Sequence, residues 1–241
     1  MKNPKFFYQQ YEKIDWCNQE KTKINSLVNR FIIDEVVSKK KSSNIKIFDI
    51  GFGIGFFIRM LYKTLNPIYK NIIIEGCEPS DKNYNYFIKK PLKFRKGVQF
   101  KTHKSTFLNT KTDEKFDFIT AIYVFPHFVF DELEETVKKI NSMLEQNGKF
   151  ILVVANETYL EEKLKSLKDL FIERNTVELD GKRYREVLHY SDIPKIGKLI
   201  DINREEQFYL DLFKKYGFEL EIKKDLDDAG FICTIFTFQK K

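Results

Sequence analysis

The chain has 241 residues, 42% of them hydrophobic, with 24 Phe and 12 Tyr, enough for one sizeable core. The net charge of +7 raises the question of nucleic acid, yet only seven of the 42 basic residues are Arg and the longest basic run is the three lysines at 39–41. A solvated Lys-rich surface is therefore expected, and nucleic acid is disfavoured as a partner. No apolar run reaches the roughly 20 residues of a membrane span, and "MKNPKFFYQQYEK" lacks a secretory apolar stretch, so the expected setting is cytoplasmic with no membrane partner. Cys17, Cys77 and Cys233 are too far apart for a metal or redox motif.

Residues 20–40 carry Ile24, Leu27, Val28, Phe31, Ile32, Val36 and Val37 on one helical stripe. "IKIFDIG" then reads as a buried strand and "GFFIRMLYKTL" as a helix ending near Asn66-Pro67. "NIIIEGCEPS" is a second strand, "DKNYNYFIKK" a helix stopped by Pro91, "GVQFKT" a third strand and "KFDFITAIYVF" a fourth. "DELEETVKKINSMLEQNG" is an amphipathic helix, with acids at its start and Asn147-Gly148 as the expected stop. "KFILVVAN" is a fifth strand. This alternation predicts a doubly wound α/β sheet with helices on both faces.

The alternation breaks at residues 157–202, which read as a charged, irregular insertion with a hairpin at Asp180-Gly181. "REEQFYLDLFKKYG" is a last helix. "FELEIKKDL" and "GFICTIFTFQKK", joined by a turn, should pair antiparallel and close the sheet.

The informative stretch is "FDIGFGIG". A strand runs into three glycines, Gly51, Gly53 and Gly55, directly after Asp49. Strand, glycine turn and helix make a ligand site at the carboxyl edge of such a sheet. A dinucleotide fingerprint would need a glycine where Phe56 stands.

This stretch resembles the first motif of class I S-adenosylmethionine-dependent methyltransferases. "CEPS" resembles the acidic end of that family's second strand, "FDFITAIYVFPHF" its fourth-strand motif, "INSMLEQNGKFILVV" its fifth helix and strand, and "FFYQQYEKID" its N-terminal aromatic segment. The resemblance covers residues 1–156 and 203–241. It implies a Rossmann-like seven-stranded sheet, mostly parallel with an antiparallel C-terminal strand, in a single methyltransferase domain over 1–241. Residues 1–42 would form a helical lid, and 157–202 an insertion over the acceptor site.

The implied cofactor is S-adenosyl-L-methionine, with S-adenosyl-L-homocysteine as product and no metal. The implied cofactor contacts are Tyr11, Asp49, Gly51, Gly53, Gly55, Glu78, Pro79, Ser80, Ser105, Thr106, Ile122 and Tyr123. Glu78 would take the ribose hydroxyls, and Ser105 or Thr106 would replace an acid the family often places by adenine. Tyr8 and Tyr11 are either packing aromatics or a cover over the sulfonium.

Methyl transfer from a sulfonium is an in-line displacement that needs a base only for a hydroxyl or a protonated amine. His127, after the fourth strand, and His189 and Tyr190, in the insertion, are the candidates; bracing and surface roles compete. Lys182, Arg183 and Arg185 form either a solvated hairpin or an anion clamp. The expected reaction methylates O or N of a small, anionic metabolite such as a sugar nucleotide. An RNA or protein methyltransferase and a non-catalytic partner subunit remain the alternatives, and oligomeric state is not legible.

Overall fold

The computed structural model describes residues 14, 16, 25–39, 42–193, 197–228 and 230–241. The expected lid residues Tyr8 and Tyr11 lie outside them. Helix α1 (Ser26–Lys39) leads into β1 (Asn44–Ile50), α2 (Phe56–Leu65), β2 (Asn71–Cys77), α3 (Asp81–Lys89), β3 (Val98–His103) and β4 (Phe116–Ile122). A short 3-10 turn, Phe125–His127, precedes α4 (Phe130–Met143) and β5 (Leu144–Ala155). Then come α5 (Glu157–Ser166), β6 (Phe171–Leu179), β7 (Lys182–Ile193), β8 (Gly197–Arg204), α6 (Glu206–Lys215), β9 (Phe218–Asp228) and β10 (Phe231–Lys240).

The main sheet has seven strands in the order β3-β2-β1-β4-β5-β10-β9. β10 pairs antiparallel with both β5 and β9, so it alone runs against the others, as the resemblance implied. The order reverses between β1 and β4, which puts a crevice at the carboxyl ends of those strands.

Strand periodicity sorts the core. Ile45 and Ile47 of β1 face a layer with Val28, Ile32 and Val36 of α1 and Ile58, Leu61 and Leu65 of α2. Phe48 and Ile50 face the opposite layer, with Leu133, Val137 and Ile140 of α4 and Phe208, Leu212 and Phe213 of α6. Much of the phenylalanine excess lies in this second layer, where the Phe213 and Phe238 rings stack with centroids 4.3 Å apart.

Two expectations are corrected. The helix after the fourth strand does not run to Asn147-Gly148. It stops at Met143, because Leu144 turns extended and buries its side chain in the core. The Lys240 ammonium, rather than a glycine turn, donates to the carbonyls of Asn141 and Leu144 (2.8 and 3.0 Å).

The segment read as irregular is ordered: α5 is followed by a three-stranded antiparallel sheet, β6-β7-β8, that extends to Arg204. The hairpin at Asp180-Gly181 is present, with φ of 51° and 78° at its two central residues. Exposed, charged β6 hides the strand pattern, since only Val177 and Leu179 of its nine residues are buried. Leu188, Ile200 and Ile202 pack on Val129 beside the 3-10 turn, and Val187 packs on Leu160 and Leu164 of α5.

Arg204 ties the second sheet to the turn after β4. Its side chain is fully buried, lies 2.7 Å from Glu186 and donates to the Phe128 carbonyl at 3.0 Å. Removing one partner of such a pair costs more than replacing both, because a lone buried charge stays desolvated. Arg204→Met should lower stability by about 3–5 kcal/mol, and Arg204→Met with Glu186→Leu should recover part of that loss, as read from urea unfolding.

Candidate active site

The crevice at the switch point opens into a cleft of about 970 Å³, its open mouth included. Gly51 and Gly53 form its floor, with Asp49 at the end of β1, Glu78 and Pro79 after β2, Thr106 and Phe107 after β3, and Ile122, Tyr123 and His127 after β4. Trp16, Asn25 and Asn29 complete it from the N-terminal side.

The glycines are used for different reasons. All three have positive φ, 67°, 55° and 78°. A Cβ on Gly51 would lie 2.7 Å from Val124 Cγ2, and one on Gly55 would lie 2.0 Å from the Phe87 ring. At Gly53 a Cβ would meet no atom of the described residues within 4 Å, so there the bare backbone faces the cleft.

Glu78 ties this loop to the next strand. One carboxylate oxygen accepts the Gly53 N–H at 2.8 Å, and the other accepts the Ser80 N–H at 2.9 Å. Ser80 in turn caps α3 through the Asn83 N–H and contributes no cleft wall. Asp49 sits opposite Gly76 and Thr120 in the ladder and accepts the Thr120 hydroxyl at 2.7 Å. Burial pushes its carboxyl up to about 7, against the lowering effect of Thr120.

Sequence reasoning missed three groups. Asn29 and Asn83 are each 1% exposed and line the cleft, and their side-chain oxygens have no hydrogen-bond partner among the described residues. Lys139 of α4 donates to the carbonyls of Phe107 and Leu108 at 2.7 and 2.9 Å and to that of Thr110 at 2.5 Å, which braces the loop behind Thr106. The helical stripe of α1 hints at a buried Asn29; nothing local marks Lys139. Ser105 lies behind that loop, bonded to Thr110, and does not line the cleft.

The candidate bases separate. His127 is buried on the cleft wall, its Nδ1 3.4 Å from Asp201 Oδ1 of β8. Burial lowers its imidazole to about 3, and His189 is lowered to about 4 in the same way, so both are neutral near pH 7. His189 and Tyr190 stand on β7 outside the cleft lining, with Tyr190 beneath the Lys198 ammonium. His103 is held by the buried Glu75 at 3.0 Å.

Lys182, Arg183 and Arg185 do not line the cleft either. Lys182 pairs with Asp211 (3.1 Å), and Arg185 pairs with Glu157 (2.6 Å) and Glu161 (2.9 Å), so two of these cations are matched by carboxylates where they stand. Among the described residues no cluster of three or more His, Cys, Asp or Glu is placed to hold a metal, and no helix is long and apolar enough to cross a membrane.

With that geometry in view, the comparisons are direct. A family model described as a methyltransferase domain matches residues 18–222, so the chain belongs to the methyltransferase-domain family. It carries the class I fold of solved S-adenosylmethionine-dependent members. One is an S-adenosylmethionine-dependent methyltransferase from Clostridium acetobutylicum ATCC 824, with TM-score 0.57 and 17% identity over 88% of this chain and 90% of that one. Another is magnesium protoporphyrin IX methyltransferase from Synechocystis PCC 6803 with bound S-adenosylmethionine, at 0.60 and 12% over 89% and 79%. A glycopeptide N-methyltransferase, also with S-adenosylmethionine, matches at 0.59 and 14% over 86% and 92%. No curated protein matches the sequence at a significant level.

Asp49 gives a signed test. Its ordinary value is 3.8 and its folded value about 7. The stability of the protonated, buried carboxyl is present below the lower value and is lost as pH rises through the higher. Asp49→Asn removes this loss, so its stability relative to wild type should rise between about pH 4.5 and about pH 7.5 in urea titrations.

Proposed function

We propose that the cleft binds S-adenosyl-L-methionine and that the protein transfers its methyl group to an oxygen or nitrogen of a small-molecule acceptor, releasing S-adenosyl-L-homocysteine, within one domain formed by the whole chain. The observation that carries this reading is the open backbone at Gly53 beside the buried Glu78 carboxylate. The bound cofactor supplies an electrophilic methyl on a positively charged sulfur.

The chain's own residues fit its parts. A carboxylate at the end of β2, fixed by the Gly53 and Ser80 N–H groups, has the two-oxygen acceptor chemistry that suits a ribose diol. The Asn29 and Asn83 oxygens, buried with no hydrogen-bond donor among the described residues, would suit ligand hydroxyl or ammonium groups. Asp49 offers a buried carboxyl group, which an ammonium placed beside it would hold ionised, for the amino-acid end. Thr106 and Phe107, on the loop braced by Lys139, wall the adenine end. Ile122, Tyr123 and His127 line the cleft after β4, where they would flank the methyl and the acceptor.

The family match and the neighbours crystallised with this cofactor support the reading. Those neighbours are a porphyrin and a glycopeptide methyltransferase by name, and an acceptor of small-molecule size suits the same cleft. Lys182, Arg183 and Arg185 do not line this cleft, so no charge of the acceptor is inferred from them.

Calorimetric titration with S-adenosylhomocysteine tests the cofactor. Wild type should bind, and Glu78→Ala should bind at least about tenfold more weakly, a loss of about 1.4 kcal/mol. Absence of binding by folded wild type would sink the proposal. Gly53→Ala, strained only by its left-handed backbone, should lose about 1 kcal/mol of stability, stay folded and lose affinity, since its methyl projects into the cleft. Gly55→Ala should instead lose about 1–3 kcal/mol of stability through the clash with Phe87 and its left-handed backbone.

A further inference from the structure

We propose that the two buried carboxamides of the cleft divide the cofactor between them. Asn83, on α3, serves the nucleoside half, and Asn29, on α1, serves the ammonium of the amino-acid half. The inference rests on the methyltransferase reading of the cleft and adds to it the residues that decide which parts of the ligand are recognised.

Both side chains are built into the wall. Each is 1% exposed and lines the cleft, and each carboxamide oxygen is buried with no hydrogen-bond partner among the described residues. An amide oxygen buried without a donor costs the folded protein free energy, so two of them in one cleft mark where a ligand supplies the donors. The backbone at each is held. The Asn83 N–H donates to Ser80 Oγ at 3.2 Å, and the Asn29 N–H donates to the Asn25 carbonyl at 2.9 Å. Asn29 Nδ2 donates to Met60 Sδ of α2 at 3.8 Å, a weak acceptor that leaves the oxygen of the same amide unused.

The two residues reach the cleft from opposite flanks of α2. α3 connects β2 to β3, and Arg59 of α2 meets it, the guanidinium 5.0 Å from the centre of the Phe87 ring and 2.8 Å from the Lys90 carbonyl. α1 lies on the other flank, against α2 and against β9, the edge strand farthest from β3. Ser80 links Asn83 to Glu78: it accepts the Asn83 N–H on its hydroxyl and donates its own N–H to the carboxylate. Asn83 therefore shares a corner with the group that suits the ribose. A ligand with its ribose at Glu78 and its methyl by Ile122 and Tyr123 runs from the Asn83 flank toward the Asn29 flank. A hydroxyl or amino group of the nucleoside then meets Asn83, and the ammonium meets Asn29 in a charge-assisted bond.

Two ligands separate the halves: S-adenosylhomocysteine carries both, and 5′-methylthioadenosine carries the nucleoside without the amino acid. In calorimetric titrations Asn83→Leu should weaken both by a similar factor, at least about tenfold. Asn29→Leu should weaken S-adenosylhomocysteine by at least about tenfold and leave 5′-methylthioadenosine within about twofold. S-adenosylhomocysteine with hydrogen in place of its ammonium should bind wild type and Asn29→Leu equally. A merely structural Asn29 would weaken all three ligands alike, which overturns the proposal. So does an Asn83→Leu protein that keeps its affinity for 5′-methylthioadenosine.

Asn29→Ala and Asn83→Ala, which place no new atoms in the cleft, should repeat the pattern and exclude blockage by the leucine. The ligand-free leucine variants should unfold in urea at the wild-type midpoint or above it, because each loses an unsatisfied oxygen; a lower midpoint assigns the side chain to the fold and counts against the role. Wild type that binds neither ligand refutes the cofactor reading. Wild type that binds both, with losses that do not divide, refutes this proposal alone.

Discussion

One carboxylate joins the ends of two neighbouring strands, and the site is organised around it. Glu78 accepts the Gly53 N–H from the loop after β1 and the Ser80 N–H at the start of α3. Charge-assisted bonds of this kind are worth about 1.5–3 kcal/mol each when buried, and losing the acceptor would strand two N–H groups. The glycine loop can then be open without being loose. Gly53 faces the cleft bare because Glu78 supplies from the side the partner its N–H would otherwise need from water.

The remaining contacts reinforce that corner. Gly51 and Phe52 both donate to the Cys77 carbonyl, which closes the loop against β2. Gly76 stands opposite Asp49 with room for no side chain, since a Cβ there would lie 2.9 Å from the Asp49 carbonyl oxygen and 3.0 Å from Phe52. Thr120 answers Asp49 from the other neighbour, β4. A buried acid is costly, and the structure holds Asp49 with one hydroxyl donor in a position where it stays protonated up to about pH 7. Such a group is poised to respond to a cation placed beside it.

The second sheet changes the character of the cleft. In a plain doubly wound sheet the turn after β4 would be braced by its own helix alone. Here Arg204 and Asp201 reach it from β8, and Leu188, Ile200 and Ile202 pack beneath it on Val129. Cations that looked available for an acceptor serve instead to hold the insertion: Arg185 ties β7 to α5 through Glu157 and Glu161, and Lys182 ties the hairpin to α6 through Asp211.

Much of this was legible in the sequence, for a physical reason. Periodicity and glycine placement are local signals, so the five parallel strands, the helices that follow four of them, the reversed β10 and the Asp49–Gly55 loop with Glu78 beyond it could be read from the chain. The end of α4 could not, because its last carbonyls are satisfied by Lys240, a long way off in sequence. The order in the insertion was hidden because its strands are charged on one side and bury their other side only against distant partners. Asn29, Asn83 and Lys139 carry no motif, and only their burial and aim distinguish them. Asp201 reads as one more surface acid until β7 and β8 pair. Sequence by itself determined the sheet, the loop and the family, since each rests on neighbours in the chain. Which side chains meet across the cleft was decided only by the tertiary structure, because those contacts depend on the register of strands far apart in sequence.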